Sequence, residues 1–145
     1  MVETFRRDGV GADIDRDTRV VLVVGPPGAG KSTYVADHAA DGDLIVDYDV
    51  IAQAFGVRES HSVHLSQAAT VARNAVLDQL RRGRLDVATA WVVSANPDAE
   101  TLFAYDDVVL VDPGRDEVLR RCREAGRPSR WFPLVDDWYR KRGAR

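Results

Sequence analysis

Cysteine is almost missing from this chain. Cys122 is the only one, so no disulfide can form within the chain and the fold must rest on its apolar core. Read as a small buried residue on a helix, Cys122 fits a reducing compartment, and a cytoplasmic location is expected. Long hydrophobic runs are missing as well. The longest, such as VVLVV and VVLV, fall far short of the roughly 20 apolar residues that span a bilayer. No basic segment leads into an apolar stretch near residue 1, so no signal peptide is expected. Lysine is scarce too: of 20 basic residues only Lys31 and Lys141 are not arginine. In a chain that uses arginine almost everywhere, a lysine inside a glycine-rich loop points to a requirement for lysine at that place.

What is present suits one soluble domain. The chain has 145 residues, 45% of them hydrophobic and 30% charged, enough to bury a core. The net charge of −3 hides an asymmetry. Residues 1–113 carry 10 basic and 18 acidic side chains, whereas residues 114–145 carry 10 and 5. A basic end on an acidic body suggests that the end meets phosphate.

Residues 1–18 are polar, rich in Gly and Asp and without period, and are expected to form a mobile arm or at most one edge strand. Residues 19–145 are expected to form one domain with no internal repeat. RVVLVV at 19–24 is a continuous apolar run, the mark of a strand buried on both faces. A helix is expected from Lys31 to about Ala40, a second strand at 44–49, and a short helix to Phe55-Gly56. A longer helix should run from about His64 to Arg82, a third strand over 86–93, and a short helix after Asn96-Pro97. The fourth strand is expected at 107–112. Asp112 as N-cap and Pro113 at the first helical position should open a helix to about Ala125, and a last helix should run from about Pro133 to Arg142. Strands alternating with helices predict an α/β fold, a parallel sheet covered on both faces in three αβα layers. In such sheets ligands sit at the carboxyl ends of the strands.

The strongest motif lies after the first of these strands. Gly25-Pro26-Pro27-Gly28-Ala29-Gly30-Lys31-Ser32 satisfies G-x-x-x-x-G-K-[ST], with a strand before it and a helix after. The glycines let backbone N–H groups turn inward to an anion, and the helix N-terminus adds its dipole. Lys31 is placed for the β- and γ-phosphates of ATP, the Ser32 hydroxyl for Mg²⁺, and Thr33 for the α-phosphate. Asp47 and Asp49 flank Tyr48 at the tip of the second strand. A carboxylate beside phosphates either serves Mg²⁺ or takes the proton of an attacking hydroxyl. Asp49 is the candidate base, with capping of the helix at Val50 as its alternative role. Asp47 reads as structural or as a contact one step removed.

On the helix from 64 to 82, Leu65, Ala69, Ala72, Val76 and Leu80 share one arc, and Arg73 falls inside it. A phosphate, a carboxylate, or snorkelling at the end of the apolar face would account for it, so Arg73, with Asp47, is a candidate acceptor contact. On the helix from 115 to 125, Val118, Leu119, Cys122 and Ala125 form the buried arc. Arg121 and Arg123 border it, Arg120 points to solvent, and Arg127 and Arg130 follow in the loop. An arginine in a closing lid stabilises a transferring phosphoryl group. His61 and His64, three apart, lack the companions of a zinc site, and none is expected.

With these pieces placed, residues 19–142 resemble the kinase domain of bacteriophage-type 5′-hydroxyl polynucleotide kinases and their small P-loop relatives. The resemblance rests on GPPGAGKST, DYDVIAQAF, VVSANP, VVLVDP and RRCREAGRPSRWFPLVDDWY. It implies a P-loop NTPase with strand order 2-3-1-4 in the numbering above, a C-terminal helical lid, Asp49 as general base, and Arg121 and Arg127 on the ATP phosphates. Two positions depart from the family: Ala52 stands where an arginine grips the acceptor phosphate, and Ser94 where an acid follows the third strand. The phosphatase domain that accompanies some relatives is not expected. The activity implied is transfer of the γ-phosphate of ATP to a hydroxyl, first a nucleic-acid 5′ end, second a nucleoside or sugar-like alcohol. An ATPase or nucleotide-gated binding module is the reading from another class.

Overall fold

The computed structural model describes residues 2–6, 17–57 and 63–143. His61 and most of the N-terminal arm lie outside the described residues. In chain order the elements are β1 (Val2–Arg6), β2 (Arg19–Val24), α1 (Lys31–His38), β3 (Leu44–Asp47), α2 (Tyr48–Ala54), α3 (Val63–Arg81), β4 (Thr89–Ser94), a 3₁₀ turn (Ala99–Thr101), β5 (Asp107–Val111), α4 (Arg115–Glu124) and α5 (Trp131–Gly143). The five strands form one sheet in the order β1-β5-β2-β4-β3. All neighbours are parallel except β1, which runs antiparallel to β5 with Val2 opposite Val111 and Arg6 opposite Asp107.

β2 is central because beyond Arg19 it has nothing polar to present to water. Val20 to Val24 are all buried, and a strand apolar on both faces is stable only between two strands and two layers of helices. Val20, Leu22 and Val24 pack on one face with Leu80 of α3 and Trp138 of α5. Val21 and Val23 pack on the other with Val35 of α1, Val118 and Cys122 of α4, and Val135 of α5. At the amino ends of the strands polar ties hold the sheet shut. Arg19 pairs with Asp107, the Val20 N–H donates to Asp106 Oδ2 at 2.7 Å, and the Thr18 hydroxyl bonds to the carbonyls of Leu85 and Val87. The carboxyl ends carry the loops instead.

The four parallel strands have the expected order, and the fifth comes from the N-terminal arm, which supplies an edge strand beside β5. Other boundaries shift for identifiable reasons. β3 ends at Asp47 rather than Asp49, because the Asp47 side chain accepts the N–H of Asp49 at 3.0 Å and caps a helix that starts at once with Tyr48. Both aspartates have capping chemistry; the one that points inward is used. Asp112 does not cap α4 with its side chain. That helix starts at Arg115 with Gly114 as N-cap, while the Asp112 carboxylate accepts the Gly114 N–H and the Tyr139 hydroxyl. Leu65, expected in the buried arc of α3, is 36% exposed on the first turn, and only Ala69 and Leu80 of that arc are fully buried.

Leu22 has no exposed surface at the middle of the central strand. Leu22→Ala should therefore cost about 2–5 kcal/mol of stability, the range for removing a buried leucine side chain without collapse of the site. Chemical denaturation with an unchanged slope is the measurement.

Candidate functional site

The loop 25–30 leaves the end of β2 and enters α1 through Gly30, which has φ +97°. Two of its glycines are fixed by space. A Cβ at Gly25 would collide with the carbonyl oxygen of Val111, and one at Gly28 would lie 2.8 Å from Cys122 Sγ. The loop is thus wedged against the end of β5 and the buried side of α4. Cys122 is buried, as expected. Lys31 arches back over the loop and its Nζ donates to the carbonyls of Gly25 at 2.9 Å and Pro26 at 2.8 Å. Burial pulls its pKa down from 10.5 to about 8, against the opposing pull of Asp49 and Asp47. Ser32 and Thr33 lie exposed on the first turn of α1.

Asp47 and Asp49 separate into two environments. Asp47 is 4% exposed. Its Oδ2 accepts the Ser32 hydroxyl at 2.7 Å and its Oδ1 accepts the Asp49 N–H. It faces the loop from behind Ser32. Asp49, in the first turn of α2, keeps its carboxylate clear of hydrogen bonds to the described residues. Its pKa is raised, first by desolvation and then by the charge of Asp47, with Lys31 and Arg127 pulling the other way. Asp49 is therefore within electrostatic reach of a loop lysine and an arginine of the 126–130 segment.

The C-terminal arginines sort by partner. Arg120 is spent on Glu117 and Glu124. Arg121 is held by Glu117 through Nε and turns Nη1 to the Ala29 carbonyl of the loop at 3.2 Å. Arg127 stacks its guanidinium 4.8 Å over the Trp131 ring. Arg123 and Arg130 are exposed. Of these residues, Arg121 and Arg127 are the two brought to the loop and to Asp49.

Arg73 is half-buried, 5.6 Å over the ring of Tyr48, and donates to Asn74 Oδ1 at 3.2 and 3.3 Å. Among the described residues it pairs with no carboxylate. Tyr48, the residue that joins Arg73 to the site, carried no signal of its own in the sequence. His64 is exposed, and among the described residues no cluster of His, Cys, Asp and Glu has the makings of a metal site. Among them, too, no helix is long and apolar enough to cross a membrane.

A family model described as an AAA domain matches residues 20–132, and the chain belongs to that family. No curated protein matches the chain. Among solved structures, a chain in "Structure of the Pnkp1/Rnl/Hen1 RNA repair complex" is similar with a TM-score of 0.67 and 17% identity, over 92% of this chain and 47% of that one. A chain in "Structure of Pnkp1/Rnl/Hen1 complex" gives a TM-score of 0.56 and 19% identity over 74% of this chain and 40% of that one. This chain therefore spans less than half the length of either. At such identities the likeness is one of fold. It agrees with the α/β fold of a phosphate-loop domain.

The lowered pKa of Lys31 gives a signed prediction. Between pH 8 and 10.5 the unfolded chain holds a proton on this lysine that the folded chain has lost, so this group's contribution to stability rises with pH across that window and is flat below it. The unfolding free energy of wild type minus that of Lys31→Met should shift in favour of wild type over the same range. Denaturation of both proteins at a series of pH values checks the slope.

Proposed function

We propose that this AAA-domain chain is a kinase that moves the γ-phosphate of ATP to a hydroxyl acceptor. The observation that carries the reading is Asp49. Its carboxylate makes no hydrogen bond to the described residues, and it lies on the first turn of the helix that follows β3, within electrostatic reach of both Lys31 and Arg127. A hydroxyl attacks poorly unless its proton is taken as the new bond forms. In the proposed step the acceptor oxygen bonds to the γ-phosphorus while the bond from that phosphorus to the β–γ bridging oxygen breaks. The acceptor proton passes to Asp49, and ADP leaves with the bridging oxygen. Desolvation raises the proton affinity of Asp49, which suits it to the task. Lys31 supplies positive charge to the β- and γ-phosphates, with the N–H groups of Gly28, Ala29 and Gly30 and the hydroxyl of Thr33 beside it.

The donors present fit Mg²⁺: a hydroxyl on Ser32 with hard carboxylate oxygens close behind it. Bound with the nucleotide, the ion would be held by Ser32 and would neutralise phosphate charge. Arg121, already turned to the Ala29 carbonyl, and Arg127, on the segment after α4, are the lid residues that stabilise the charge gathered on the transferring group.

A nucleic-acid 5′-hydroxyl is the first acceptor. The polynucleotide-kinase pattern in the sequence and the fold shared with a chain of an RNA repair complex support it. A small alcohol is the second, favoured by Ala52, which is buried and brings no charge to the acceptor side.

Two sets of variants test the reading. Asp49→Asn keeps size but loses the base, and transfer should fall by roughly 10²–10⁴-fold with ATP binding and melting temperature preserved. Single-turnover label transfer to a 5′-hydroxyl oligonucleotide and to a small alcohol reads the loss and names the acceptor. Normal transfer by Asp49→Asn, or label found only in free phosphate with wild type, would remove Asp49 as base. Alanine at Arg121 or Arg127 should cut kcat on the order of 10²-fold or more with little change in ATP affinity, whereas Arg123→Ala should leave it near wild type.

A further inference from the structure

Far from the phosphate loop in sequence, the last turn of α5 is bound to the segment that follows β4. Arg142 Nη1 donates to the Pro97 carbonyl at 3.2 Å and lies 3.6 Å from Glu100 Oε1. Its guanidinium also stands 5.4 Å over the Trp138 ring. The pair is sheltered: Arg142 and Glu100 are 20% and 18% exposed, whereas Arg120 and Arg140 meet their carboxylates in the open. Taking two charges out of water is repaid only by good placement, so this pair fixes a position.

Trp138 shows what the pair works against. The residue is almost fully buried, yet its Nε1–H has no acceptor among the described residues. A buried donor left unpaired is costly, and a roll of α5 outward would bring it to water. Arg142, one turn further on and over the same ring, opposes that roll.

The clasp also completes a ring of contacts around the site. The Gly25 N–H donates to the Ser94 carbonyl at 3.3 Å, which ties the phosphate loop to the end of β4. The segment from there to Glu100 holds Arg142. From Arg142 the helix runs back to Trp131, about 16 Å at 1.5 Å per residue. Arg127 lies over Trp131, whose N–H donates to the Pro128 carbonyl at 2.9 Å, so the lid segment is built onto the first turn of α5. The Arg127 N–H donates to the Cys122 carbonyl of α4, and α4 returns to the loop where Arg121 meets the Ala29 carbonyl. A helix is stiff, so what seats one end of α5 sets the place of the other.

We infer that Arg142 is a positioning residue for Arg127. With Glu100 it clasps α5 to the turn after β4, and so sets where Arg127 stands relative to the loop and Asp49. The inference rests on the lid role proposed for Arg127, and the identity of the acceptor does not enter.

The test has a kinetic arm and an arm without turnover. Arg142→Gln should lower kcat roughly 10-fold while the KM for ATP stays within about twofold. Glu100→Gln should do the same, and Arg142→Lys should recover part of the loss. Arg142→Gln combined with Arg127→Ala should transfer no more slowly than Arg127→Ala alone, because the first acts through the second. In the other arm, amide hydrogen exchange is followed with and without Mg·ADP. Wild type should show slowed exchange over 126–132 when the nucleotide binds. Arg142→Gln should lose roughly 10-fold of that slowing there, with the slowing over 25–31 kept. Strictly additive losses in the double variant, or an equal loss of slowing at loop and lid, would overturn the inference and leave Arg142 a tether of the fold. Wild type with no slowing over 126–132 would overturn it as well. Exchange as expected in a chain that labels no acceptor would sink only the kinase.

Discussion

The phosphate loop of this protein has no slack, and most of the site follows from that. Gly25 is pressed to the Val111 carbonyl, Gly28 to the sulfur of Cys122, and the Ala29 carbonyl receives Arg121. One stretch of backbone is thereby fitted to the end of β5 and to two side chains one residue apart on α4. Close packing transmits position. A helix that must sit against the loop to fill the space under Gly28 brings Arg121 with it, and the turn after α4 then carries Arg127 to the Asp49 side. On the other flank Ser32 is joined to Asp47. The loop is the part against which the acidic and basic halves of the site are both measured.

Charge is distributed less simply than composition suggests. The excess of basic residues after 113 reads as a surface for phosphate, yet much of it is answered within the fold. Arg115 pairs with Asp136, Arg120 with Glu117 and Glu124, Arg140 with Asp137, and Arg142 with Glu100. The exposed ones among these pairs add little stability, but they lower the local field. Among the described residues, Arg121 is directed at the loop and Arg127 at Asp49. The same holds on the acidic side, where Asp106 and Asp107 are used at the closed end of the sheet and, among the described residues, Asp47 and Asp49 stand near the lysine.

Much of the architecture was legible because its signals are local. An unbroken apolar run predicts a buried parallel strand, and the glycine-rich loop announces itself by spacing. The order of the four parallel strands came with the resemblance. Less legible were choices between equivalent residues. Nothing in DYD says which aspartate caps the helix; burial behind Ser32 decides it. Asp112 before Pro113 is a sound start signal, and it lost because a tyrosine 27 residues later uses the same carboxylate. Leu65 fits the wheel of α3, but a wheel does not know how far the sheet extends. Arg73 was visible as an intruder, while the Tyr48 ring beneath it was not, since a tyrosine between two aspartates has no pattern to mark it. The start of the chain offered least: five residues, VETFR, become a strand only because β5 lies there with an open edge.

That strand has a consequence for the molecule among its own kind. Val2 to Phe5 are all exposed, Val2 at 48% and Phe5 at 41%, so β1 is held chiefly by the backbone ladder to β5. What it covers is the outer edge of Val108-Val109-Leu110-Val111, a short run of high β-propensity with no charge and no proline. Left bare, such an edge is a template on which a second molecule can nucleate sheet growth. With β1 in place the outermost strand shows water a glutamate and a threonine beside its two hydrophobes. In a crowded solution these few residues act as a hem, and the property they protect is colloidal: whether copies of the protein stay apart.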